Sequence, residues 1–232
     1  MQVTAIKTRR FLLPKDSLED LLSYFDATLS DGDVVAISSK VLSICEGACK
    51  PTIDTEKQVL IANQSDEILS IKQDGEALLT RNHDMLLEYG GVDTLKAGYY
   101  VTLPNNPYKS ALAIWKILKK RNKIKKLGVI ITDSHSVPYR RGAIGMAIAG
   151  YGFKPVTMDG TITKTHKEVA MIDTLDSLAA TANVVMGEGS ESTPLAIIRA
   201  APNIEFFTKT LPASIMRSYM YVRSGEVYNL KP

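Results

Sequence analysis

The chain has 232 residues, 45% of them hydrophobic and 23% charged, with a formal net charge of +3. That size suits one large domain, or two tightly packed lobes, with apolar residues enough for a real core. A charge of +3 does not argue for nucleic acid, and no window approaches the ~20 apolar residues that cross a bilayer.

MQVTAI predicts a first strand, and SLEDLLSYFDATL a helix with leucines and Phe25 on one face. DGDVVAISSKVLSI reads as a turn and an apolar strand that ends on small polar residues. Gly47 between Cys45 and Cys49 predicts a turn. Without a second Cys/His pair or a CxxC spacing, both cysteines read as reduced thiols of a cytoplasmic protein. The N-terminus lacks the apolar stretch of a signal peptide.

TEKQVLIANQSDEILSIKQ is expected to be helical, ALLTRN a strand, and MLLEYGGVDTLKAGYYVTLP loop-like with a strand near Tyr99 to Leu103. NPYKSALAIWKILKKR predicts a strong helix capped by Ser110, its basic end complementing the helix dipole. LGVIITD is a buried strand, and GAIGMAIAGYG a strand or a closely packed helix. KEVAMIDTLDSLAATANVVMG runs from strand to helix and back towards a strand, PLAIIRA is a strand, and the tail turns as a hairpin on SG. Mixed strands and helices without a regular βαβ rhythm predict an α+β fold in a single domain spanning 1–232.

Three carboxylates occupy stretches rich in small residues: Asp93 in YGGVDT, Asp133 in IITDS and Glu188 in VMGEGSEST. Magnesium and manganese take one or two carboxylates, with hydroxyls, waters and phosphates completing the shell, so Asp133 followed by Ser134 suits such a ligand. A turn or capping role is the plainer reading of Asp93 and Glu188 taken singly. Backbone amides in MGEGSEST, and ISSK with Lys40, suit phosphate oxygens as well as a surface loop and a strand end. Arg140 and Arg141 suit bidentate recognition of carboxylate or phosphate, or a solvated turn. His83, His135 and His166 lack zinc spacing, and neither a Walker A, a GxGxxG nor a GxSxG sequence is present. The residues by themselves point to phosphate and divalent-metal chemistry without fixing a reaction.

Five blocks carry a resemblance over most of the chain: DGDVVAISSKVLSICEG, GGVDTLK, IITDSHSVPYRRG, the helix leading to VVMGEGSEST, and PLAIIRA. In order and spacing they resemble the γ-glutamyl ligase family that adds glutamate to the coenzyme F420 precursor. The resemblance implies a GTP-dependent ligase with Mg²⁺ or Mn²⁺, forming an acyl phosphate that the amine of L-glutamate attacks. It implies an intertwined homodimer, metal ligation at Asp93, Asp133, Ser134 and Glu188, and nucleotide contacts in three regions. Those regions are Arg9, Arg10, Phe11 and Leu12; Ser39 and Lys40, with Lys96; and Met186, Gly187, Gly189, Ser190, Glu191, Ser192 and Thr193. Arg140 is expected to act beside Asp133 in catalysis by steadying a phosphate or a substrate carboxylate.

The chain departs from the family pattern at Ile44, Lys96, Ser136, Val137 and Ala143. Most of these changes remove polar groups, which bears on specificity. Two other readings remain at this stage: a folate polyglutamylating ligase, and a nucleotide-binding homologue without catalysis.

Overall fold

The structure is a computed structural model. It describes all residues except Pro14, Asp74, Glu76, Asp84, Pro138, Ser190 and the segments 160–169 and 221–232, together with the side chains of 77, 158, 159, 170 and 218–220. His166, Ser190 and the turn of the expected terminal hairpin therefore lie outside the described residues.

In chain order come β1 (Gln2–Ile6), α1 (Leu18–Leu22), β2 (Asp33–Ser38), α2 (Ser39–Cys45), β3 (Cys49–Pro51) and α3 (Lys57–Gln64). Then follow β4 (Glu67–Ile71), β5 (Ala77–Asn82), β6 (Met85–Glu88), β7 (Asp93–Leu95), β8 (Tyr99–Val101) and α4 (Pro107–Asn122). The remainder is β9 (Leu127–Ser136), β10 (Ala143–Tyr151), β11 (Val156–Asp159), β12 (Ala170–Asp173), α5 (Thr174–Met186), β13 (Leu195–Arg199) and α6 (Ala213–Met220).

The central sheet has the order β1-β13-β2-β9-β10. Only β2 and β9 run parallel, with Val35 opposite Val129 and Ser38 opposite Thr132. Smaller sheets, β3-β8-β7 and β4-β5-β6, and the β11-β12 pair complete an α+β fold.

Strand alternation divides the core in two. Val35, Ile37, Val129 and Ile131 face Ile114, Trp115 and Leu118 of α4. Val34, Ala36, Ile130, Ala196 and Ile198 face Leu175, Leu178, Ala179 and Ala182 of α5. Gly145 allows α5 to sit close on β10, since a Cβ there would lie 2.5 Å from the Cβ of Asn183. At the rim, Arg199 donates to both Asp33 oxygens at 2.9 and 2.7 Å, satisfying a carboxylate that is 1% exposed.

Several expectations change. The apolar strand stops at Ser38, and Ser39–Cys45 is a helix rather than a continuation of it. Residues 67–71, read as helix, form β4, which pairs with β5. MLLE is a strand and not loop, because it completes that sheet beside β5. Asn106 caps α4 instead of Ser110: its Oδ1 accepts from the Lys109 amide at 3.0 Å, and Pro107 occupies the first turn. Ser110 lies a turn further in and donates to Glu46 at 2.6 Å.

β9 does not end on Asp133 but runs on to Ser136, paired with β10 throughout. GAIGMAIAGYG resolves as strand, and α5 continues to Met186 without returning to a strand. Ala213–Met220 is helical, so the stretch read as the first arm of a hairpin begins inside α6. Gly47 does make the expected turn, with φ +73, and both cysteines are free. Lys119, Lys120 and Arg121 fill the last turn of α4. No helix among the described residues is long and apolar enough to cross a membrane.

Candidate active site

The parallel pairing of β2 with β9 stops at Ser38 and Thr132, at the carboxyl-terminal edge of that pair, where open α/β sheets commonly place ligands. β2 passes into α2 without a loop, so Ser38, Ser39 and Lys40 sit directly at that edge. The same register brings Asp133 beside them, one residue past the Ser38–Thr132 pair. α5 ends on Gly187, and the loop that follows returns to β13, with the Ser38 amide donating to the Pro194 carbonyl at 2.9 Å. The segment leaving β1 closes the third side, tied to that loop by the Thr8 amide donating to the Ser192 carbonyl at 2.8 Å. The three segments enclose a cavity of about 310 Å³.

Its electrostatics centre on Asp133. Burial pushes this carboxyl up to about 6, against the Ser134 amide and the Ser39 hydroxyl, which favour the charged form, while Asp93 adds to the rise. The Ser134 amide lies 2.9 Å from Asp133 Oδ1, and the Ser134 hydroxyl donates to Glu188 Oε2 at 2.8 Å. Lys40 Nζ lies 2.6 Å from Asp93 Oδ2. Burial opposes the lysine charge, but Asp93, Asp133 and Glu188 outweigh it and hold the Lys40 pKa above its ordinary range. One ammonium thus answers three carboxylates.

The wall formed by the segment after β1 is held from behind. Arg9 Nη2 lies 2.7 Å from Asp16 Oδ1, its guanidinium stands 4.9 Å from the Phe11 ring centroid, and its amide donates to the Tyr24 hydroxyl at 3.1 Å. In the loop after α5, Gly187 has φ +75 and ψ 171, a conformation reserved in practice for glycine. Glu191 folds back there to accept from the Gly189 amide at 2.8 Å, and Thr193 donates to the Met186 carbonyl at 2.5 Å.

Of the residues expected from the sequence, Arg9, Arg10, Phe11, Leu12, Lys40, Asp133, Ser134, Met186, Gly187, Glu188, Gly189, Glu191, Ser192 and Thr193 all line this one cavity. Ser39 is 2% exposed and reaches Asp133 from beneath, and Asp93 joins through Lys40. Lys96 is exposed and outside the lining, and Arg140 is exposed on the turn that follows β9. Thr132, Asn183 and Tyr99 also line the cavity but were not anticipated. Thr132 is legible in hindsight as the register partner of Ser38, whereas Asn183 and Tyr99 arrive by tertiary packing alone.

The profile of the family described as F420-0:Gamma-glutamyl ligase matches residues 11–200. The chain is 28% identical over 230 residues to coenzyme F420:L-glutamate ligase of Methanopyrus kandleri, covering 89% of this chain and 90% of that one. To the enzyme of that name from Methanocaldococcus jannaschii it is 32% identical over 216 residues, covering 82% and 83%. The corresponding protein of Methanothermobacter thermautotrophicus is 29% identical over 196 residues, with 75% and 77% covered.

Proposed function

Since the chain belongs to the F420-0:gamma-glutamyl ligase family, we propose that it is a cytoplasmic ligase joining L-glutamate to a carboxylate acceptor, the coenzyme F420 precursor, at the expense of GTP. The observation that carries this reading is the convergence of Lys40, Asp133, Ser134, Glu188 and the glycine-bearing loop on one cavity.

In this reading an acceptor carboxylate oxygen attacks the γ-phosphorus of GTP and the bond to the bridging oxygen breaks. GDP leaves, and the acceptor becomes an acyl phosphate. The amine of L-glutamate then attacks the acyl carbon, releasing phosphate and a proton and forming the amide. The protein's share is positioning and charge stabilisation more than covalent chemistry.

Asp133, Ser134, Asp93 and Glu188 are hard oxygen donors, the set suited to Mg²⁺ or Mn²⁺. Asp133 fits a cation site on its own showing: burial disfavours its charge, and a bound cation would restore it. Among the described residues no group of three or more His, Cys, Asp or Glu side chains is arranged to hold a metal ion, so substrate phosphates would have to complete the shell. When bound, the metal would neutralise phosphate charge and align the transfer.

Lys40 is the mobile cation of the site, able to leave Asp93 for a phosphate oxygen. The amides of Glu188, Glu191, Ser192 and Thr193 suit the phosphates, and the Arg9–Leu12 segment covers the nucleotide. Arg140, on the exposed turn, would meet an acceptor rather than the nucleotide. We take the working form to be a homodimer. Ile144 and Val184, flanking the Gly145–Asn183 approach, are 45% and 83% exposed and suit burial against a second copy.

Incubating the protein with the F420 precursor, L-glutamate, GTP and Mg²⁺ tests the proposal. A product heavier by one or more glutamate residues, with stoichiometric GDP, is expected. GTP binding without acceptor modification would sink it.

A further inference from the structure

Asn183 of α5 lines the cavity, is half-buried, and takes no part in the contacts that build the site. It lies one turn before Gly187, whose amide donates to the Asn183 backbone carbonyl at 2.9 Å and closes the helix. The carboxamide carries two N–H donors and one oxygen acceptor. Among the described residues it makes no hydrogen bond, so its donors are open to whatever enters the cavity.

A glycine sets the place of this side chain. Gly145 of β10 stands opposite Ser134 of β9. A Cβ on Gly145 would lie 2.5 Å from Asn183 Cβ, 3.1 Å from Asn183 Cγ and 2.8 Å from the Ala179 carbonyl oxygen. Glycine alone lets α5 come so near, and the carboxamide rests over the Ser134–Gly145 pair. Strand alternation puts Ser134 on the face of Ile130, the face that α5 covers. Ser134 in turn donates to Glu188 Oε2 at 2.8 Å. Asn183, Ser134 and Glu188 thus form one side of the site. Lys40 reaches it from the other face of the sheet, since Leu42 and Ile44 of its helix α2 belong to the core that packs on α4.

Charge decides what an amide can do at this position. Asp133, Glu188 and Glu191 already line the cavity. A further carboxylate beside them would repel phosphate, whereas a neutral amide adds donors without adding charge. A phosphoryl group in transfer spreads its negative charge over three equatorial oxygens, and these only accept. Lys40 can meet one such oxygen from the α2 side, and Asn183 another from the α5 side.

We propose that Asn183 is a catalytic residue of the transfer. Its Nδ2 donates to a non-bridging oxygen of the phosphoryl group while the bond to GDP breaks and the bond to the acceptor carboxylate forms. No proton changes hands at the amide. This rests on the ligase reading above and adds a further group that meets the reacting atoms.

Two variants test it. Asn183→Ala keeps the Cβ that packs on Gly145 and removes the carboxamide. Asn183→Asp keeps the shape and replaces the donor by an acceptor. Wild type and both variants are assayed for GDP formed and glutamate added, with the F420 precursor and L-glutamate saturating, and GDP affinity is measured by calorimetry. In Asn183→Ala kcat should fall about 100-fold, the scale of one lost transition-state donor. Asn183→Asp should lose at least as much, with GTP KM and GDP Kd within threefold of wild type in both. A kcat within threefold of wild type in either variant overturns the assignment. An effect confined to GTP KM and GDP Kd also overturns it and makes Asn183 a support of the loop. The ligase reading survives both results, because wild type still adds glutamate. A wild type that binds GTP and adds no glutamate overturns the ligase reading, and the assignment falls with it.

Discussion

The Lys40 ammonium and the Asp93 carboxylate meet at 2.6 Å, at the point where the parallel strand β2 gives way to α2. Both side chains are about half exposed, at 45% and 53%. A pair so placed adds about 1 kcal/mol or less to stability, yet its ammonium also feels Asp133 and Glu188. In the proposed reading its value lies in what the ammonium does when phosphate arrives. Lys40→Met is expected to shift Tm by no more than roughly 2 °C. It should lower kcat/KM for GTP about 100-fold, the scale of one lost charge-stabilising donor. Thermal unfolding and steady-state kinetics on the same preparation check both halves. A large Tm loss with retained turnover would make Lys40 structural.

Gly187 supplies a second test. With φ +75 and ψ 171 it holds a conformation that costs other residues about 1–3 kcal/mol. A Cβ there would lie 2.8 Å from Cδ of Glu191, the side chain that orders the Gly189 amide. Gly187→Ala should weaken GTP binding at least tenfold in calorimetry while α5 and the core stay folded by circular dichroism. Unchanged affinity would remove the loop from nucleotide recognition.

Asp16 acts at a distance from the cavity, through Arg9. Its side chain is 6% exposed, and it anchors both the Arg9 guanidinium at 2.7 Å and the Leu12 amide at 2.5 Å. Asp16→Ala frees the segment that forms one wall. The expected outcome is a GTP KM raised about tenfold with kcat within threefold of wild type, since in the proposed reading the wall meets the nucleotide without touching the reacting bond. A fall in kcat at constant KM would contradict this.

The pH dependence of stability has a definite sign at Asp176. Burial, with Asp173 adding to it and the Ala147 amide opposing, pushes this carboxyl up to about 6, from about 4 in the unfolded chain. Between those values the folded state holds a proton that the unfolded state has lost. Stability from this group therefore falls as pH rises through the window and stays reduced above it. Asp176→Asn keeps an acceptor for the Ala147 amide and removes the charge. Its Tm should match wild type near pH 4 and exceed it by about 3 °C at pH 7. A difference that does not change with pH would contradict the assignment.

Much of this site is legible in the sequence because its parts are local. IITDS carries a buried strand with its carboxylate and hydroxyl side by side, and MGEGSEST carries a helix end with its glycine loop. The structure adds what sequence spacing does not contain: that the Ser39 hydroxyl supports Asp133, and that Lys40 pairs with Asp93. The fold is less fully legible. β4 was lost inside an apparent helix because EILSI has no clean alternation and its strand character comes from pairing with β5. The helical turn of SSKVLSIC was hidden by β-branched residues that suit either state, and tertiary packing of Leu42 and Ile44 decides it. At the start of α4, Asn106 before Pro107 is a stronger cap signal than Ser110, which lies a turn inside the helix.

The central claim is that the metal-ligand set at Asp133 serves glutamate transfer to the F420 precursor. The most direct measurement is a mass-resolved assay of the precursor with L-glutamate, GTP and Mg²⁺, run on wild type and Asp133→Asn. Wild type should add one or more glutamates and lose that activity in a chelator, and Asp133→Asn should fold, bind GTP and give no product. An Asp133→Asn protein that still extends the precursor at the wild-type rate would contradict the account.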